Sequence, residues 1–147
     1  MLTWMSRSTT APAFPTLAEL PGRPCPIAAS LEVVGERWSL LVVRELWMGS
    51  HTFGEIVRGT GAPRDRIAAR LKLLERAGVV SRVQYQEAPP RFEYHLTESG
   101  KALVPVLKAL LEWGREYAVP DDPDLHLSTA RRTMRAEPAR PGTKESR

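Results

Sequence analysis

Residues 53–97, FGEIVRGTGAPRDRIAARLKLLERAGVVSRVQYQEAPPRFEYHLT, constrain this chain more than any other stretch. Phe53, Ile56 and Val57 mark the apolar face of a short helix over about 53–58. Gly59-Thr60-Gly61 then supplies a corner, since a tight helix-to-helix turn favours residues that tolerate positive φ. Pro63 suits the first position of the next helix, where its missing N–H is not needed. That helix, about 63–77, sets Ile67, Leu71 and Leu74 on one face at i, i+4, i+7, and Gly78 closes it. Val79 to Tyr85 has strand propensity. Arg91 to Leu96 alternates, with Phe92, Tyr94 and Leu96 opposite Arg91, Glu93 and His95. Pro89 and Pro90 fall in the break at 86–90, where no ladder bond is required. Two helices around a corner followed by a hairpin are the plan of a winged helix-turn-helix. The expected class is therefore α+β, mainly α, with a two-stranded wing and flanking dimerisation helices.

The flanking segments fit this plan. Residues 1–24 hold Pro12, Pro15, Pro21 and Pro24, which forbid a long helix and predict an N-terminal arm. Trp4, Phe14, Leu17 and Leu20 give that arm apolar contacts to offer. A first helix is expected at 27–36, with Ile27, Leu31 and Val34 on one face. A second, about 38–48, is apolar nearly all round through Trp38, Leu41, Val42, Leu46 and Trp47, as a central helix would be. Thr97 is expected to cap a last long helix that Pro105 kinks near its start. Leu103, Val106, Leu107, Leu110, Leu111, Trp113 and Tyr117 make its stripe too broad for one small body, so it predicts a dimer interface. Residues 118–147 bring four more prolines and scattered charge. They read as an extension with a short helix near 124–136 and ten disordered residues at the end. The expected layout is thus arm 1–24, domain 25–117 and extension 118–147.

A chain of 147 residues has room for one core, and 42% of them are apolar. Its net charge is +4, but 58–82 alone holds seven basic residues against two acids. The positive charge is therefore concentrated in the helix-turn-helix, as expected for an anionic partner. Other chemistry finds little support. His51, His95 and His126 have no second ligand at metal spacing, and the single Cys25 cannot build a thiolate site. No glycine-rich phosphate loop or nucleophile elbow occurs. No catalytic residue, metal or cofactor is expected. Without a signal-peptide core or an apolar run of 18 residues, a cytoplasmic location and no membrane contact are expected.

Double-stranded DNA is the expected partner, with the 63–77 helix in the major groove and the hairpin, about 85–92, on flanking backbone. Arg64 is the best candidate for a base contact, because a guanidinium matches the paired acceptors of guanine. Asp65 either accepts from cytosine N4 or orients a neighbouring arginine. Arg66, Arg70 and Lys72 touch phosphates or support the fold, and Ala68 and Ala69 lie on the same helix surface. Thr60, with the N–H groups of the helix start, is a candidate phosphate holder. Arg91 reaches a flanking phosphate or the minor groove. Cys25 precedes the first helix, where a helix end favours a thiolate, and is either a redox switch or an inert small residue. A winged-helix module for protein contacts and a small-molecule sensor with weak DNA affinity are the alternative readings.

Several runs, in order, resemble the HxlR-type transcriptional regulators. They are Cys25-Pro26-Ile27, LEVVGERW at 31–38, Arg44-Glu45-Leu46, FGEIVRGTGAP at 53–63, RLKLLERAGVV at 70–80, Pro89 to Tyr94, LTESG at 96–100 and LKALLEWG at 107–114. The resemblance covers about 25–117 and implies a MarR-like winged helix that binds palindromic DNA as a homodimer, built from the first and last helices. It also implies repression or activation of nearby genes in answer to aldehydes, oxidants or other signals. In some members a cysteine matching Cys25 is a redox switch. The family often enters its recognition helix through glycine-isoleucine-serine, whereas this chain has Gly61-Ala62-Pro63. The surface RDRIAAR is its own, so the operator does not carry over.

Overall fold

The computed structural model describes residues 16–119. Helices α1 (Pro26–Val34), α2 (Arg37–Trp47), α3 (Phe53–Thr60) and α4 (Arg64–Arg76) lead into strands β1 (Val80–Gln86) and β2 (Arg91–Leu96). Helices α5 (Glu98–Lys101) and α6 (Val104–Trp113) follow. A 3-10 turn at Leu17–Glu19 precedes α1, and a π-helical turn at Gly114–Ala118 follows α6. The expectations for Trp4, Phe14, the helix near 124–136 and the last ten residues lie outside the described residues. Two compact units meet between Val104 and Pro105.

In the first unit α2 contacts α1, α3, α4 and β2. Val42 and Val43 are fully buried, and Ile56 of α3 with Ile67, Leu71 and Leu74 of α4 complete the core. Val79 and Val80 close it at the start of the hairpin. The central position expected for α2 is thus observed, but its buried set differs. Ser39 and Glu45 are buried, whereas Trp38, Leu41 and Trp47 are only half-covered. A unit this small has too few neighbours to enclose the whole circumference of a helix.

Two expectations need correction. The face predicted for α1 was Ile27, Leu31 and Val34, yet Val33 and Val34 are the residues buried. Ile27 is 72% exposed and Leu31 58%, so periodicity marks an apolar stripe that the described residues do not cover. The long helix after Thr97 is in fact two helices. Pro105 has no N–H to donate to the carbonyl four residues back, Lys101, where α5 ends. Leu103 N–H bonds to the Gly100 carbonyl at 3.1 Å instead, and α6 restarts at Val104.

The hairpin pairs antiparallel, from Val80 opposite Leu96 to Gln86 opposite Arg91, with an irregularity between Gln84 and Gln86. The Ala88–Pro89 bond in its loop is cis. The hairpin is fastened to the segment between α2 and α3. Tyr94 N–H donates to the His51 carbonyl at 2.8 Å, His51 Nδ1 bonds to the Tyr94 carbonyl oxygen at 2.9 Å, and the His51 and His95 rings stack at 4.2 Å. Those contacts fix where the wing stands beside α3.

Candidate nucleic-acid interface

The interface is built from the turn outward. Thr52 and Glu55 form a capping box at the start of α3: Thr52 Oγ1 accepts from Glu55 N–H, and Glu55 Oε2 accepts from Thr52 N–H at 3.2 Å. Glu55 Oε2 also accepts from His51 N–H at 2.9 Å. Burial pushes the Glu55 carboxyl up, but these N–H groups, the Thr52 hydroxyl and the Arg58 charge outweigh it and hold its pKa below the ordinary value.

Helix α3 runs two residues further than predicted, and only one glycine of the expected corner turns the chain. Gly61 caps α3 in the left-handed region at φ 69°. Gly59 lies inside the helix for a different reason. A Cβ there would strike the Glu45 carboxylate, which is buried. Arg44 Nη2 and Nε donate to Glu45 Oε1 at 2.8 and 3.0 Å, and Arg44 Nη2 also donates to the Gly59 carbonyl at 2.9 Å. This ion pair straps the end of α3 onto α2 beneath the turn. Single-residue reading missed it, although Arg44-Glu45-Leu46 is among the runs that carry the family resemblance.

Pro63 stands one position outside α4, at its N-cap, instead of at the first helical position. Helix α4 buries Ile67, Leu71 and Leu74, as the spacing predicted. At 100° per residue, the opposite face carries Asp65, Ala69, Lys72 and Arg76, all exposed. Arg64 and Arg66 are exposed at the helix start, and Ala68 is half-buried beside them. Arg76 was absent from the sequence-based set, yet it extends the stripe eleven residues on from Asp65. Arg82 was also absent; it is exposed on β1, with its guanidinium 4.3 Å from the Phe92 ring centroid. Arg91 is exposed at the first position of β2.

Two of the candidate contact residues also take part in the fold. The Thr60 hydroxyl donates to the Ile56 carbonyl at 2.8 Å and accepts from Ala62 N–H at 3.3 Å, so it works inside the turn. Arg70 places Nε 3.6 Å from Glu36 Oε2 with most of its side chain covered, which anchors α4 to the N-cap residue of α2. Arg64, Arg66, Lys72, Arg76 and Arg91 make no ion pair among the described residues.

Cys25 is the N-cap of α1, and its Sγ accepts from Ala28 N–H at 3.4 Å. In the second unit α6 buries none of its residues: Val106, Leu110 and Trp113 are exposed, as is Tyr117 beyond it, while Leu107 and Leu111 are half-covered. Leu103 stands before α6, in the first unit, and is half-covered. Among the described residues no group of three or more His, Cys, Asp or Glu is placed to hold a metal ion, and no helix is long and apolar enough to cross a membrane.

Comparison with known proteins agrees with this architecture. The chain is 41% identical over 102 residues to an HTH-type transcriptional regulator of Mycobacterium tuberculosis, covering 69% of this chain and 65% of that one. The chain therefore spans a little under two thirds of that relative's length. A transcriptional regulator of the MarR family from Enterococcus faecalis superposes with a TM-score of 0.54 at 35% identity, over 63% of this chain and 84% of that one. The reduced form of the transcriptional regulator YodB from Bacillus subtilis gives 0.56 at 32% identity, over 67% and 98%. These proteins are named as regulators, not enzymes. The model of the HxlR-like helix-turn-helix family matches residues 33–122, and the chain belongs to that family.

Proposed function

We propose that the protein is a transcription regulator that binds double-stranded DNA sequence-specifically as a homodimer, with α4 in the major groove. The observation that carries this reading is the outward surface of α4. Its opposite face is locked in the core, while Arg64, Arg66, Lys72 and Arg76 stand exposed without acid partners among the described residues. Arg64, at the helix start, contacts a base edge, and Asp65 accepts from cytosine N4 or orients a neighbouring arginine. Arg66, Lys72 and Arg76 serve phosphates, and Ala69 lets the helix approach the groove closely. The hairpin tip with Arg91 contacts flanking backbone.

The exposed apolar residues of α1 and α6 support pairing of two copies, and a two-fold dimer reads a palindromic operator. Domain 25–117 carries this activity, in the cytoplasm, and residues 118–147 are an extension to it. Cys25 is the candidate redox residue. Its sulfur already faces a helix N-terminus, and the YodB structure at 32% identity is of that regulator's reduced form.

Fluorescence anisotropy on the gene's own upstream fragment and on scrambled DNA, across a salt series, tests the reading. The expected result is tight binding to the native fragment, a large preference over scrambled DNA, and a steep fall with salt. Double substitution of Arg64 and Arg66 by alanine abolishes it while the dimer persists. Oxidation lowers binding in the wild type but not in Cys25→Ser. No binding to either fragment at low salt would favour a winged-helix module for protein contacts. Equal weak binding would favour a sensor that lacks its ligand.

A further inference from the structure

We propose that Phe53 is a positioning residue for base readout: its ring holds the Arg64 guanidinium ready at the mouth of α4. The inference rests on the DNA-binding reading above. Arg64 Cζ lies 4.9 Å from the Phe53 ring centroid, within the range of a cation–π contact. Phe53 opens α3 and Arg64 opens α4, so the pair spans the helix-turn-helix at its two helix N-termini. The backbone that carries the ring is held. The capping box of Thr52 and Glu55 fixes the backbone on either side of it, and His51, two residues before, is fastened to the wing through Tyr94.

The choice of partner matters for what Arg64 can do. Arg44 donates through Nε and Nη2 to the Glu45 carboxylate, which occupies donors a base would need, and Arg70 is paired with Glu36 at 3.6 Å with most of its side chain covered. Arg64 has no acid partner among the described residues, and the ring is the contact it makes. An aromatic face attracts the charge of a guanidinium without consuming its N–H groups. A long, flexible cation is thus ordered before binding while its fork of donors stays available for guanine. Such ordering strengthens the correct contact more than the incorrect one, so it acts on discrimination more than on overall affinity.

The test compares Phe53→Leu and Phe53→Tyr in the full chain. In the free protein, ring-current shifts of the Arg64 side-chain resonances should survive in the tyrosine variant and vanish in the leucine variant. Binding is then measured on the native upstream fragment and on fragments with each guanine of the bound site replaced by adenine. Phe53→Leu should lower preference for the native site about threefold at one guanine position, the position at which Arg64→Ala also loses its preference. The salt slope should not change, because no charge is removed, and Phe53→Tyr should restore the preference. Phe53→Met, which fills similar volume without a π face, gives the same reading if the leucine variant fails to fold. Equal weakening on every fragment would mean that Phe53 only supports the fold, and would overturn the proposal. A wild type that binds but loses no preference in Arg64→Ala would overturn it too. A wild type with the ring-current shift but no preference for any fragment would overturn the DNA reading itself.

Discussion

Glu55 shows how much a single side chain settles here. One carboxylate oxygen receives the N–H groups of His51 and Thr52, closing the start of α3 and the segment that carries the wing. Its folded-state pKa lies below the ordinary 4.5, so between the two values the unfolded chain binds the proton and the folded chain does not. The stability contributed by this group is complete above about 4.5 and is lost as pH falls through the lower, folded value. Urea midpoints from pH 7 to pH 3 should therefore fall less steeply for Glu55→Gln than for the wild type over the acidic part of that range. Equal slopes would show that acid sensitivity comes from other carboxylates. At this scale the sequence was only partly legible. The capping pair is a local pattern, Thr52 three residues before Glu55, and is readable in principle. The roles of Thr60 and Arg70 depend on partners that only the turn and the packing of α4 on α2 bring near, so composition and helical position could not separate them from DNA contacts.

Gly59 and Gly54 make the corresponding case for elements, since both lie inside α3. Alanine in place of a helical glycine ordinarily gains about 1 kcal/mol. At Gly54 a new Cβ would meet Arg58 Nη1 at 3.7 Å, an ordinary contact, so Gly54→Ala should stabilise by up to about 1 kcal/mol. At Gly59 the same atom would strike the Glu45 carboxylate, which is buried and bonded to Arg44, so moving it would break that pair. Overpacking of this kind costs about 1–3 kcal/mol, which at least offsets the helical gain. Gly59→Ala should therefore lower stability on balance, by up to about 2 kcal/mol in urea unfolding, and a stabilised Gly59→Ala would mean that the strap between α3 and α2 yields. Helix and strand types were readable because α4 and β2 carry clean periods of 3.6 and 2. Their ends were less so. The sequence predicts a kink at Pro105 in one helix, whereas the carbonyl of Lys101 and the missing N–H divide it into two.

For the whole molecule the decisive quantity is apolar surface that the described residues leave uncovered. Ile27 and Leu31 of α1 point to solvent, and in the second unit Val106, Leu110, Trp113 and Tyr117 do the same, with Trp113 59% exposed. The Trp113 and Tyr117 rings lie 5.7 Å apart, so the end of α6 presents a continuous aromatic surface. Exposed apolar side chains grouped on one helix face mark contact surfaces. The breadth of the α6 stripe was legible in the sequence; the exposure of the α1 stripe was not, because periodicity does not say which chain covers an apolar face. If a second copy covers these residues, charge placed among them should separate the subunits without unfolding either. Leu110→Glu combined with Trp113→Glu should sediment as one chain at micromolar concentrations where the wild type sediments as two, with similar helical circular dichroism. On a palindromic fragment the variant should lose about 10²–10⁴ in affinity, because its second half-site is no longer tethered. On a single half-site the two proteins should bind almost alike. A variant that still sediments as two chains would remove α6 from the interface and leave α1, with Ile27 and Leu31, as the surface to alter next.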